Sequence, residues 1–177
     1  YLRGSGGKPW GKMDKVKFLC PVPGYDRHFA ICEYFGIEMV NVPMLSTGPD
    51  MDIVEELVKD DAVKGMVCVP KYSNPTGVTY SDDTVKRLSA METASDFRIM
   101  WDNAYCIHHL SANHDLLLDL LGECKKAGNP DRAIMVASLS KVTFPGSGVA
   151  VLVASENNIK MIKERLSVQT IGPDKIN

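Results

Sequence analysis

Residues 133 to 141 read Ala133-Ile134-Met135-Val136-Ala137-Ser138-Leu139-Ser140-Lys141, an apolar run that closes in small polar residues and a lysine. A run of this length and β-branched content is expected to form a fully buried strand, which then opens into the turn formers of 142 to 148. Lys141 therefore leaves the strand at its carboxyl end, where open α/β sheets bind their ligands. Taken alone it also reads as a solvated lysine at a loop start, because most lysines are exposed.

The rest of the chain decides which sheet this strand joins. Short apolar runs recur at Val16 to Cys20, Glu38 to Val42, Gly65 to Val69, Arg98 to Trp101 and Val149 to Ala154. Stretches of helical period lie between them, at Asp26 to Phe35, Asp52 to Val58, Ser81 to Ala94, Asp115 to Lys126 and Glu156 to Leu166. Ser81-Asp82-Asp83 is a helix start, and Gly36, Gly122 and Gly128 mark helix ends or turns. Strand-helix alternation at this spacing predicts a mostly parallel sheet with helices on both faces, a three-layer α/β/α fold. Tyr1 to Lys15 has no apolar period and is expected to be a connection or an exposed turn. Its Gly4-Ser5-Gly6-Gly7 is a poor phosphate cradle, since Lys8-Pro9-Trp10-Gly11 comes next in place of a helix start.

Composition narrows the function classes. The 177 residues are 45% hydrophobic and 24% charged, with a formal net charge of −2, which suits one domain with a real core. No basic run points to nucleic acid, and no apolar segment reaches the roughly 18 residues of a membrane span. The five cysteines, Cys20, Cys32, Cys68, Cys106 and Cys124, are widely separated, with no C-x-x-C pair. They are read as reduced thiols of a cytoplasmic protein. The four histidines do not present metal-ligand spacing: His108 and His109 are adjacent, His28 begins a helix and His114 sits in a polar turn, so no metal site is expected.

Three further stretches come directly after predicted strands. Pro21-Val22-Pro23-Gly24-Tyr25-Asp26-Arg27-His28 delivers an aromatic ring just ahead of a helix, either to pack or to serve as a platform for a ligand. Pro70-Lys71-Tyr72-Ser73-Asn74-Pro75-Thr76-Gly77 is a turn by composition. Asp102-Asn103-Ala104-Tyr105 puts a carboxylate at the end of a buried strand, which is expensive unless a cation or several donors meet it. One stacking ring, one amide, one carboxylate, one phenol, two hydroxyls and one amine thus gather beyond the carboxyl ends of four strands. That set meets the needs of pyridoxal phosphate: a ring to stack on it, donors for its phenolic oxygen, a carboxylate for its ring nitrogen, hydroxyls for its phosphate and an amine for its aldehyde.

In this order and at these intervals, Asn74-Pro75-Thr76-Gly77, Asp102-Asn103-Ala104-Tyr105 and Ser138-Leu139-Ser140-Lys141 resemble the large domain of fold-type I, aspartate-aminotransferase-like enzymes. Pro21 to His28, Trp101 to Tyr105 and Ile171-Gly172-Pro173-Asp174-Lys175 resemble more narrowly a bacterial subgroup of aspartate aminotransferases. The resemblance implies a pyridoxal 5'-phosphate enzyme, a cytoplasmic homodimer that moves the amino group of aspartate or a related amino acid to 2-oxoglutarate. Lys141 would form the internal aldimine and carry the proton. Asp102 would pair with the pyridine nitrogen, Asn74 and Tyr105 would hydrogen-bond the phenolic oxygen, Tyr25 would stack on the ring, and Ser138 with Ser140 would bind phosphate.

Two departures accompany the resemblance. No arginine follows Lys141 in the loop 142 to 149, so Ser147 or backbone amides would have to hold the phosphate in its place. The upstream glycine-rich loop and the small domain of the family are also not found, so residues 1–177 are expected to be part of a large domain, inactive on its own. Two other functions remain open. One is a lyase or decarboxylase of the same fold, and the other is a non-catalytic pyridoxal-phosphate effector domain of a transcription regulator.

Overall fold

The computed structural model describes residues 1–2, 9–142 and 148–172. The expectations for Gly4-Ser5-Gly6-Gly7, Ser147 and Pro173-Asp174-Lys175 lie outside the described residues.

Six apolar runs become strands, and one more is added. The elements run β1 (Lys17–Val22), α1 (Asp26–Tyr34), β2 (Glu38–Leu45), β3 (Gly48–Pro49), α2 (Met51–Leu57), β4 (Val63–Cys68), α3 (Asp82–Ala90), β5 (Arg98–Asp102), α4 (Leu120–Lys126), β6 (Ala133–Ser138), β7 (Ala150–Ala154) and α5 (Glu156–Gln169). They build one seven-stranded sheet of order β3-β2-β1-β4-β5-β6-β7. Strands β2, β1, β4, β5 and β6 run parallel, and the short β3 and the last strand β7 pair antiparallel at the two edges. Chain order reverses between β1 and β4, the switch point at which open α/β sheets leave a crevice beyond the strand ends.

Two apolar layers sandwich the sheet. On one face α2, α3 and α4 press Val54, Val85, Leu88, Leu120 and Cys124 onto Leu19, Met66, Ile99 and Trp101, all fully buried. On the other face Cys32 and Ile37, from α1 and the turn after it, join Phe18, Cys20, Val16 and Trp10. Close packing explains one glycine directly: a Cβ on Gly65 would sit 2.5 Å from the Phe18 ring of the neighbouring strand.

Several sequence expectations need correction. Residues 1 to 15 are not simply an exposed connection: Trp10 is buried, starts a 3₁₀ turn (Trp10–Lys12), stacks on Tyr1 at 4.9 Å and donates to Asp96 at 3.0 Å. Helix α3 stops at Ala90 instead of Ala94, because the Arg132 guanidinium takes the carbonyls of Leu88 and Ser89 (3.2 and 2.7 Å) that a longer helix would use. Helix α4 begins at Leu120 and not Asp115, since Asp119 caps it by accepting from the Leu121 N–H at 3.1 Å. Gly122 therefore lies inside α4, where a Cβ would stand 2.6 Å from the capping carboxylate. Strand β6 is buried only in its first half; Val136 is 38% exposed, because that end of the strand faces a cavity of about 750 Å³.

Candidate functional site

The segments just beyond the carboxyl ends of β1, β4, β5 and β6 build the site. Register brings Asp102 opposite Val136, and the Asn103 N–H donates to the Val136 carbonyl at 2.8 Å. Asp102 and Asn103 are thus held by the ladder itself.

Asp102 is the centre of the arrangement. Its Oδ2 lies 3.0 Å from Nε2 of His28, and both side chains are mostly buried, 23% and 17% exposed. The Tyr25 ring stands edge-on to His28 with centroids 5.3 Å apart. Tyr25 is the N-cap residue of α1 and His28 lies in its first turn, so one strand-to-helix junction sets both groups against the carboxylate of another strand. In the sequence His28 is only the start of a helix with no metal-ligand spacing; the structure sets it against the mostly buried Asp102 carboxylate. The sequence carries a signal only for the nearness of His28 to Tyr25, since the two are three residues apart at a helix start and helical neighbours at that spacing face the same way.

On the β6 side, Nζ of Lys141 sits 5.0 Å from the centroid of the Tyr105 ring, and Tyr105 in turn meets His108 edge-on at 5.5 Å. Ser138 and Ser140 share a 2.7 Å hydroxyl contact, and the Ser140 N–H donates to Ser138 Oγ at 3.1 Å. Asn74 lies in the turn after β4, held because the Gly77 N–H donates to the Ser73 carbonyl at 2.6 Å and the Ser73 N–H to the Val78 carbonyl at 2.9 Å. Gly77 takes φ +75°, the left-handed region that glycine enters without strain. Tyr25, Asp102, Tyr105 and Lys141 are thus each tied to a neighbour at this edge, whereas Asn74 is placed by its turn alone.

The donor set can be compared with the cofactor that the sequence suggests. Lys141 is exposed and its amine rests on an aromatic face, as an amine meant for a carbonyl must be reachable. Asp102 is bonded through Oδ2, and among the described residues its other oxygen meets no donor. Both ring nitrogens of His108 are buried without a partner among the described residues. Reachable amine, half-satisfied carboxylate and orphaned polar atoms at one edge fit a polar aromatic aldehyde phosphate. Among the described residues no group of three or more His, Cys, Asp or Glu side chains could hold a metal ion.

A family model described as aspartate amino-transferase matches residues 2–177. The chain belongs to the aspartate amino-transferase family. An aspartate aminotransferase of Corynebacterium glutamicum is 52% identical over 171 residues, which is 96% of this chain and 40% of that protein. The crystal structure of an aspartate transaminase from the same organism superposes with a TM-score of 0.92 at 52% identity, covering 94% of this chain and 40% of that one. LysN, an α-aminoadipate aminotransferase from Thermus thermophilus complexed with N-(5'-phosphopyridoxyl)-L-leucine, superposes with a TM-score of 0.73 at 27% identity, covering 85% and 38%. The fold is thus that of the fold-type I transferases, and the chain spans about 40% of the length of its family relatives.

Proposed function

We propose that this chain is the cofactor-binding part of a pyridoxal-phosphate-dependent aminotransferase that uses aspartate or a related amino acid as donor and 2-oxoglutarate as acceptor. The observation that carries the reading is that Asp102, paired with His28, and Lys141, on Tyr105, come from the carboxyl ends of two adjacent parallel strands, β5 and β6. The names of the relatives at 52% identity support transamination over elimination, decarboxylation or an effector role.

Pyridoxal phosphate, when bound, supplies an aldehyde for amine exchange and a ring that draws electron density from the substrate's α-carbon. Everything else falls to side chains. Asp102 would offer its open oxygen to the ring nitrogen and hold a proton there, with His28 anchoring the other oxygen and orienting the carboxylate. Tyr25 would stack on the ring. Tyr105 and Asn74 would donate to the phenolic oxygen, and Ser138 with Ser140 to phosphate. Lys141 would present its amine to the aldehyde and move the proton at the α-carbon. A homodimer in the cytoplasm is part of the same proposal; among the described residues no helix is long and apolar enough to cross a membrane.

The test is a coupled assay of the full-length protein. Aspartate and 2-oxoglutarate should yield oxaloacetate, followed through malate dehydrogenase, with other amino donors slower. Pyruvate and ammonia released from amino acids, with no oxo acid consumed, would replace this reading with elimination.

A further inference from the structure

Asn74 and Tyr105, the two groups assigned to the phenolic oxygen, sit on separate segments, the turn after β4 and the loop after β5. Among the described residues neither side chain makes a hydrogen bond, so the gap between them depends on what holds the two segments together. Two side-chain hydrogen bonds among the described residues cross from one segment to the other. Nζ of Lys71 donates to the Cys106 carbonyl at 3.2 Å, and the Tyr72 hydroxyl lies 3.0 Å from Nδ1 of His109. Lys71 precedes Asn74 in the same turn and Cys106 directly follows Tyr105, so the first bond fastens the segments close to both groups.

Both bonds are made at a cost. Lys71 is 7% exposed, and an ammonium buried on a carbonyl is less favourable than an apolar side chain of the same volume would be. Tyr72 lies at φ +49°, the left-handed region that an L-residue enters with strain. Residues held in such conformations persist where the surroundings over-determine them, and they gather at functional sites. Tyr72 is fixed from three directions: its hydroxyl on His109, the Lys71 ammonium 5.3 Å from its ring centroid, and its backbone N–H, which donates to Thr79 Oγ1 at 3.4 Å. His109 is itself stacked on His114 at 3.9 Å.

We propose that Lys71, Tyr72 and His109 are positioning residues, a clasp between the two segments that sets the spacing at which Asn74 and Tyr105 donate to one oxygen, a role that rests on the proposed cofactor chemistry. Donors that converge on a phenolic oxygen favour its anionic form and thereby lower the pH at which the bound cofactor takes up its proton. A slack clasp lets the two donors drift apart, weakens both bonds and raises that pH. Side chains that only filled space here would change stability and leave that pH where it is.

The test is a spectrophotometric pH titration of the full-length protein loaded with pyridoxal phosphate, beside thermal melts and hydrogen exchange of the unloaded protein. Lys71→Met keeps the apolar stem and removes the ammonium, and it should move the midpoint of the visible absorbance change upward by about half to one pH unit, part of what losing a whole hydrogen bond to a charged oxygen would bring. Lys71→Arg keeps a donor and should titrate close to wild type. Tyr72→Phe should shift the midpoint the same way by less, and adding His109→Leu to it should bring no further shift, since both remove one bond. In the unloaded protein the amides of Ser73 and Gly77, bonded within the Asn74 turn, should exchange several-fold faster in Lys71→Met. Tyr72→Phe, a milder change, carries the same test if Lys71→Met does not fold. Wild-type midpoints in the variants that fold, whether or not their melts fall, would overturn the clasp alone. A full-length protein with no cofactor absorbance would overturn the cofactor reading and the clasp together, so the two failures are told apart.

Discussion

His28 and Asp102 make distinguishable contributions, and two substitutions separate them. Asp102→Asn keeps the shape but cannot hold a proton on a ring nitrogen, so turnover should fall about a thousandfold or more while cofactor affinity falls far less. His28→Phe keeps a ring edge for Tyr25 and removes only the 3.0 Å bond to Asp102. Loss of one hydrogen bond to a charged group costs about 1.5 to 3 kcal/mol, hence roughly ten- to hundredfold in rate. Steady-state kinetics of both variants checks the order; equal and slight effects would remove Asp102 from the centre of the site.

Another single residue, Asp96, makes stability depend on pH. Burial pushes its carboxyl up, but the Lys64 ammonium at 2.7 Å and the Trp10 indole N–H at 3.0 Å outweigh this and hold its pKa below the ordinary carboxylate value. A carboxyl whose pKa is lower folded than unfolded adds stability above its unfolded value, and that stability is lost as pH falls through the folded one. The loss should therefore lie below about pH 4. Urea midpoints of wild type and Asp96→Asn should differ at neutral pH and converge in acid. A difference that persists unchanged to pH 3 would contradict the pairing.

Among the elements, the turn after β4 shows how much backbone geometry the site requires. Gly77 lies at φ +75°, and a Cβ added there would meet no heavy atom within 4 Å, so Gly77→Ala would cost conformation and not space. The left-handed penalty for an L-residue is about 1 to 2 kcal/mol, and it would fall on the loop that carries Asn74. Thermal melting should show a modest loss of stability together with weakened cofactor binding; an unchanged melt and unchanged binding would mean that the turn adapts freely.

Strand positions are legible in the sequence because β1, β4, β5 and β6 are short apolar runs bounded by turn residues, the pattern of strands covered on both faces. Helix ends are less so. The early stop of α3 depends on Arg132, more than forty residues away in sequence, and local propensity carries no trace of such a partner. Trp10 is hidden for the same reason: its partners Phe18, Tyr1 and Asp96 come together only in the fold. Lys141, Asp102, Tyr105 and Tyr25 can be picked out because each lies at or just past the end of a strand. The pairing of His28 with Asp102 cannot, since it joins residues of separate segments whose adjacency depends on sheet order.

For the whole molecule, burial is uneven across the sheet. The α2-α3-α4 face carries the larger buried core, whereas the α1-α5 face holds the 750 Å³ cavity, and Val151, Leu152 and Val153 of edge strand β7 are exposed. Contiguous apolar exposure of this kind favours association. Residues 1–177 produced alone should self-associate in sedimentation and bind pyridoxal phosphate weakly; a monodisperse monomer with full affinity would show that this face needs no cover.

The proposed chemistry stands or falls on Lys141, which alone among the lysines of this chain is assigned the amine for the cofactor at the carboxyl edge of the sheet. Reduction of the full-length protein with borohydride in the presence of pyridoxal phosphate, with peptide mass mapping afterwards, is the sharpest test of that assignment. One phosphopyridoxyl group per chain is expected on the peptide containing Lys141, abolished by Lys141→Ala. A modified Lys71 peptide, or no stable modification in a protein that still transaminates, would refute it.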